Sequence, residues 1–284
     1  MARNPLHTKL CDSLGIEYPI VAFTHCKDVV VEVTNAGAFA VMGETPHTPE
    51  EIEADIKWIR DRVGGRPFGI DLVFPASVPA MGSIDELKAQ IPREQREYAE
   101  QIKVRHQIPP PKKEPELYEL GWMTQDVPRK QLEVVLDEKV AVLASGLGSP
   151  VFALEAAHAQ GMQVWGLVGK PRQAKRQLEA GVDAIIAQGY DAAGHTGSIG
   201  TFSIVPQVVA MAGDTPIIAA GGITTGRHLA GAIALGASGV WTGTVWLTSR
   251  ESDTEMVLKE KILEATAEQT SFSACVSGFT MRTL

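Results

Sequence analysis

Apolar positions gather into eight short runs along the chain, at residues 19–24, 39–43, 68–74, 140–146, 163–169, 184–189, 217–222 and 239–244. Near-continuous apolar runs of this length are what strands show when both faces of a parallel sheet are covered. Between them the pattern changes to the spacing of amphipathic helices, over 48–63, 150–160, 171–180 and 225–235. Proline marks the first turn at Thr48-Pro49-Glu50-Glu51, Ser149-Pro150 and Lys170-Pro171, where a missing N–H costs nothing. Gly161, Gly181 and Gly236 end helices, and each is followed within a few residues by the next strand.

Eight strand–helix units in about 250 residues match a (β/α)8 barrel in number and size. A doubly wound open sheet is the alternative, but no G-x-G-x-x-G follows the first strand. One connection breaks the rhythm. Residues 76–138, between the third and fourth strands, are too long for a simple link. Helical patterns at 84–90, 93–104, 115–120 and 128–136 surround the turn Ile108-Pro109-Pro110-Pro111-Lys112-Lys113. The expectation is a single barrel domain over 1–284, with a largely helical cap inserted at about 76–138. Within it Lys103, Arg105, His106, Lys112 and Lys113 form a basic cluster, which reads as a solvated polar loop or as an attractor for anions.

Composition narrows the function. A net charge of −8 argues against a nucleic acid or an anionic membrane as partner. An anionic ligand must then be held by local donors. Cys11, Cys26 and Cys275 are odd in number and lack metal-type spacing, which points to a reducing compartment. The first fifteen residues contain no apolar signal core, and no run is long enough to span a bilayer, so a cytoplasmic protein is expected.

Candidate chemistry follows the last three strands. After the sixth comes Gln188-Gly189-Tyr190-Asp191-Ala192-Ala193-Gly194-His195-Thr196-Gly197. This loop has little Cβ bulk, so a flat or phosphorylated ligand can approach its backbone. His195 can give or take a proton near neutral pH; the alternative is a glycine-rich turn whose histidine simply bonds to the backbone. After the seventh strand stand Gly221 and Gly222, then a helix start; the eighth runs into Trp241-Thr242-Gly243-Thr244. In barrels these two loops often bind a phosphate through backbone N–H groups. A metal shared by His25 and His195 lacks a third ligand, so none is expected.

These motifs resemble the FMN-dependent nitronate monooxygenases. The similarity lies in residues 188–197, 219–223 and 241–244, and extends to 14–21, 35–38 and 68–72. It implies a TIM barrel with FMN lying across the C-terminal face. Gln188 would supply an amide, His195 the catalytic imidazole, and Ala193 and Gly194 backbone contacts to the flavin and ribityl. Gly221, Gly222, Trp241, Thr242, Gly243 and Thr244 would surround the phosphate. Four positions depart from the family. Ala193 stands where many relatives have glycine, and Asp71 where many have asparagine. Phe23, Thr24 and His25 replace a common Ala-Pro-Met beside the cofactor. The sequence stops at Leu284, where relatives usually continue, as in a short member or a truncated chain.

The resemblance implies oxidation of alkyl nitronates or nitroalkanes by molecular oxygen, giving a carbonyl compound and nitrite. Phe23 and Trp246 are candidate walls for a small-molecule pocket. Two alternatives stay open. One is an NAD(P)H-dependent FMN reductase of quinones or enoyl thioesters; the other is a flavin-binding barrel without turnover.

Overall fold

The structure is a computed structural model and describes residues 6–74, 89, 91–110, 126–275 and 279–284. The eight expected strands all form: β1 Ile20–Thr24, β2 Phe39–Gly43, β3 Gly69–Phe74, β4 Val142–Gly148, β5 Gln163–Val168 and β6 Ala184–Gln188, followed after a short strand β7 (Gly194–His195) by β8 Ile217–Ala220 and β9 Gly239–Thr242. They pair in parallel in the order β1-β2-β3-β4-β5-β6-β8-β9 and close through β9 onto β1, where Val21 faces Trp241. The chain is a TIM barrel. Closure removes both sheet edges, which is why no strand needs a charged or proline-blunted rim.

Alternation along the strands divides the core in two. Val21, Phe39, Val41, Val142, Ala144, Trp165, Ala184, Ile186, Ile218, Ala220 and Trp241 form the cluster inside the barrel. Ala22, Met42, Ile70, Leu72, Leu143, Val164, Ile185, Ala219 and Val240 belong to the cluster between strands and helices. Helix α1 (Lys9–Leu14) contributes Leu10, Cys11 and Leu14 to the inner cluster, and Thr8 before it donates to the Ser238 carbonyl at 2.5 Å. The N-terminal end is thereby filled.

The helices follow the expected signals. After α2 (Lys27–Asn35), α3 (Pro49–Arg60) starts on a full capping box, with Glu51 N–H donating to Thr48 Oγ1 and Thr48 N–H to Glu51. Ile52, Ile56 and Ile59 on one face of α3 are wholly buried, worth roughly 1.5–3 kcal/mol each. In the inserted segment, α4 (Arg93–Arg105) buries no side chain, and its Lys103 is paired with Glu100 at 2.7 Å. That fits the solvated reading of the basic cluster, whose Lys112 and Lys113 lie outside the described residues, as do most of 84–90 and all of 115–120. The last part of the segment is α5 (Asp126–Glu138), which buries Val127, Gln131, Leu132 and Val135 and serves as the barrel helix after β3.

Expected helix 150–160 splits into a 3-10 turn, Pro150–Ala153, and α6 (Leu154–Ala159). Helix α7 spans Pro171–Ala180 and ends on Gly181 at φ +90°, a left-handed cap. Then come α8 (Thr201–Val209), α9 (Gly226–Ala234), α10 (Thr244–Leu247) and α11 (Met256–Glu264). The chain finishes as two short strands, β10 (Ser271–Ser273) and β11 (Met281–Thr283). Strand β11 pairs antiparallel with β10 and with β7, setting Met281 opposite His195 and Arg282 opposite Gly194. Among the described residues, no helix is long and apolar enough to cross a membrane.

Candidate active site

The C-terminal ends of the strands divide into a glycine-rich side and a side built from bulky or ionisable groups. On the glycine side, the loop after β6 and the loop after β8 are locked together. Gly189 N–H donates to the Ala220 carbonyl at 3.0 Å, and Thr201 Oγ1 donates to the carbonyls of Ala220 and Gly221 at 3.2 and 3.0 Å. Asp191 accepts from Thr201 N–H at 2.7 Å, so that carboxylate caps α8 rather than facing a ligand. Gly221 and Gly222 have φ of +105° and +69°, which only glycine adopts readily. A Cβ on Gly221 would also stand 2.7 Å from Thr201 Oγ1 and 2.9 Å from Ala192 N. These glycines are needed by the fold itself.

Gly194, Gly226 and Gly243 differ. A Cβ on Gly194 or Gly226 would meet nothing within 4 Å, and one on Gly243 only the Phe23 carbonyl at 4.0 Å. Packing therefore gives no reason for glycine at Gly226 or Gly243; Gly194 has φ +77° and so has a backbone reason as well. The space beside them is open. The structure thus brings Ala193, Gly194, Gly221, Gly222, Gly243 and Thr244 to one face, on three neighbouring strand ends. Gln188 ends β6 with the same inward parity as Ala184 and Ile186.

Thr242, Thr24 and Trp246 sit elsewhere. Thr242 points away from the barrel axis and donates through Oγ1 to the Val21 carbonyl at 3.3 Å; only the backbone of this residue is available to a ligand. Thr24 Oγ1 accepts from Cys26 N–H at 3.1 Å and shapes the turn into α2. Trp246 donates its indole N–H to the Thr242 carbonyl at 2.8 Å and packs on the outer cluster, so it is a wall of the fold and not of the mouth.

His195 is exposed in β7 and tied down from both sides. Thr196 N–H donates to the Thr280 carbonyl at 3.0 Å, and Thr280 Oγ1 returns a bond to the Thr196 carbonyl at 2.7 Å. Arg282 donates to the Tyr190 carbonyl at 2.9 Å and to Thr270 Oγ1 at 2.8 Å. The imidazole lies edge-on to Phe279, with ring centres 6.1 Å apart. A histidine on such a held loop stays in one place at the surface of the mouth.

The other side of the mouth is built from side chains. Phe23 stacks on Trp241 with ring centres 5.4 Å apart and meets His25 edge-on at 5.1 Å. The bond between His25 Nδ1 and the Gly43 carbonyl, at 2.9 Å, draws the imidazole over that glycine. Asp71 faces into the barrel from β3 and is 3% exposed. Burial pushes its carboxyl up to about 7, against a bond from Gly146 N–H that pulls it down.

Sequence reasoning missed one buried group beside this side. Glu44 follows β2, is wholly buried, and accepts a hydrogen bond from His47 Nδ1. Burial pushes the Glu44 carboxyl up while His47 pulls it down; the same bond raises His47. Gln131 of α5 donates to the carbonyls of Thr45 and His47 at 3.0 and 2.7 Å, which fixes the loop. The signal available was Glu44 set three residues before His47 at a strand end. Together with Asp55, this pair forms a group of metal-type donors. Lys27 Nζ, 2.6 Å from Asp55, pairs with that carboxylate and makes the group part of a polar network. At the opposite end of the barrel a cavity of about 250 Å³ is lined by Glu17, Asn35, Gly37 and Arg66, away from the catalytic ends of the strands.

Comparison with known proteins bears on this arrangement. The model of the nitronate monooxygenase family matches residues 7–284. A Mycobacterium tuberculosis protein named as a monooxygenase, Rv1533, is 40% identical over 98% of this chain and 76% of its own length. The structure of FabK from Thermotoga maritima superposes with a TM-score of 0.74 at 27% identity, over 98% of this chain and 74% of that one. A nitroalkane oxidase from Streptomyces ansochromogenes superposes with a TM-score of 0.77 at 24% identity, over 97% and 78%, which shows the shared fold. A match across nearly the whole barrel, loops after β6, β8 and β9 included, makes this chain an enzyme of the nitronate monooxygenase family.

Proposed function

We propose that the C-terminal mouth binds FMN and oxidises alkyl nitronates, or nitroalkanes after loss of a proton, with molecular oxygen. Two nitronates and one dioxygen give two carbonyl compounds and two nitrites, so oxygen is the only oxidant required. The open space beside Gly194, Gly226 and Gly243 carries the reading. A cofactor phosphate needs closely approaching backbone N–H groups, and side chains at these positions would fill the room it occupies. In a chain of net charge −8, the donors must be local. Gly222, Gly243 and Thr244 would hold the phosphate, Ala193 and Gly194 the ribityl and ring edge, and Gln188 and Asp71 the polar rim of the flavin. Phe23 and His25 would close the opposite wall.

When bound, FMN would supply the redox chemistry that an electron-rich nitronate needs. The protein's part is position and proton control. His195, on its pinned loop, would hold the nitronate oxygens and remove the α-proton from a neutral nitroalkane. The cofactor and substrate would be small molecules entering from solvent.

Stopped-flow mixing of the purified protein with a nitronate under anaerobic conditions tests this. The flavin spectrum should change with the nitronate and stay unchanged with NADPH. A response to NADPH alone would make the protein a reductase. No response to either would make it a binding barrel.

A further inference from the structure

Asp71 is an unusual group to find beneath a ligand mouth. Its register partner on β2 is Gly43, and its carboxyl lies over Gly146 on β4. A Cβ on Gly146 would stand 3.1 Å from Oδ2 and 3.2 Å from Oδ1, so glycine there makes room for the carboxyl. A Cβ on Gly43 would stand 2.5 Å from His25 Cε1 and 3.0 Å from Phe23 Cζ. The two flanking glycines therefore let three side chains, Asp71, His25 and Phe23, converge at one level of the barrel. Gly146 N–H gives the carboxyl one bond, and Oδ1 has no partner. An unsatisfied buried oxygen is destabilising, and a ligand contact would offset that cost.

We infer that Asp71 is the specificity-determining residue of the mouth: as a carboxylic acid its unpartnered oxygen donates a hydrogen bond to an anionic ligand, and as a carboxylate it repels that ligand. The inference rests on the reading that the C-terminal mouth is the ligand site. It adds a residue that selects for anionic ligands and a pH range in which they bind. Burial places the titration at about 7, so both forms are populated at neutral pH. Few charged groups surround it. From β1 there is His25, held on the Gly43 carbonyl. From the loop after β2 there is Glu44, whose N–H donates to the Asp71 carbonyl at 3.1 Å while its side chain bonds His47. β4 and the rest of β3 carry no ionisable residue. An asparagine at this position would hold Gly146 N–H equally well but could not titrate.

Sodium nitrate, a planar oxyanion that cannot be oxidised, is a suitable probe. Its binding to the wild type and to Asp71→Asn is measured by calorimetry from about pH 6 to about pH 8.5, with the flavin content of each sample recorded. Above about pH 7 nitrate affinity should fall more steeply in the wild type than in the variant, by about tenfold per pH unit, since any contribution of His195 is common to both. A flat wild-type profile, the same slope in both proteins, or no nitrate binding at any pH would overturn the inference. Infrared spectra of the wild type give a second reading that needs no variant. A buried carboxylic-acid band should be present below neutral pH and disappear above it; its absence throughout would also overturn the inference. Flavin content with and without added FMN reports separately on the FMN reading, since pH-dependent nitrate binding in a protein that takes up no FMN would remove that reading and leave Asp71 standing.

Discussion

The two sides of the barrel mouth are built from opposite materials. After β6, β8 and β9 the chain offers backbone: Gly194, Gly226 and Gly243 border open space, and Gly221 and Gly222 have φ values that suit glycine. On β1 and β3, and just after β1 and β2, it offers side chains: Phe23, His25, Glu44 with His47, and Asp71. On the function proposed above, the first side would bind by shape and by fixed N–H groups, which do not change with pH. The second is where charge can change. His195 belongs to the first side by position and to the second by chemistry, and its loop is held by a strand from the far end of the chain. The proposal therefore puts cofactor affinity and chemical selectivity on different strands, and single substitutions should separate them.

The largest separation is expected at His195. His195→Ala should keep FMN and lose turnover of a neutral nitroalkane by on the order of 10²–10⁴-fold, with a smaller loss for a preformed nitronate that needs no proton removed. Steady-state oxygen consumption with both substrates measures this; wild-type rates on both would make His195 structural.

Asp71 tests the other side through stability. Its acid is favoured in the folded state, so the wild type loses stability as pH rises from about 4 to about 7, the range between the ordinary carboxyl value and the raised one. Asp71→Asn should remove that loss. It should melt higher than the wild type at pH 8, by an amount capped at about 4 kcal/mol, and the gap should close below about pH 4. Equal pH dependence in both proteins would show that Asp71 does not titrate as described.

His47 supports the same side from behind. His47→Ala leaves the wholly buried Glu44 without its partner. The side chain of His47 is 32% exposed, which lowers the cost below that of a fully buried pair, to about 2 kcal/mol. Urea denaturation at pH 7 measures it, and an unchanged midpoint would mean that Glu44 simply takes up a proton. The smallest effect belongs to the backbone side. A Cβ on Gly243 meets no atom closer than 4.0 Å, so Gly243→Val should fold normally. It should weaken FMN binding by about tenfold, roughly 1.4 kcal/mol, in a fluorescence titration. Unchanged affinity would place the phosphate elsewhere.

The barrel was legible because burial on both faces writes each strand as an apolar run, and because Pro171 and Gly181 punctuate a helix where the chain needs to turn. The glycine side of the mouth was legible for a related reason: glycine is visible in a sequence wherever backbone must be bare. The side-chain half was not. Glu44 and His47 look like ordinary loop residues until α5, arriving from across a long insertion, buries one of them. Helix α1 has six residues, too few for a helical period to show, and its role depends on filling the barrel from below. The pairing of β7 with β11 joins two very short segments far apart in sequence, and no local pattern encodes such a contact. Thr242 could have been read better, since its parity in β9 directs the hydroxyl outward, to Val21.

The central claim is that this mouth is an FMN site. The most direct measurement is the absorption spectrum of the purified protein, followed by identification of any chromophore released on denaturation. The account predicts a yellow protein that releases FMN, or a colourless one that becomes yellow when FMN is added. A colourless protein that takes up no added FMN would contradict it.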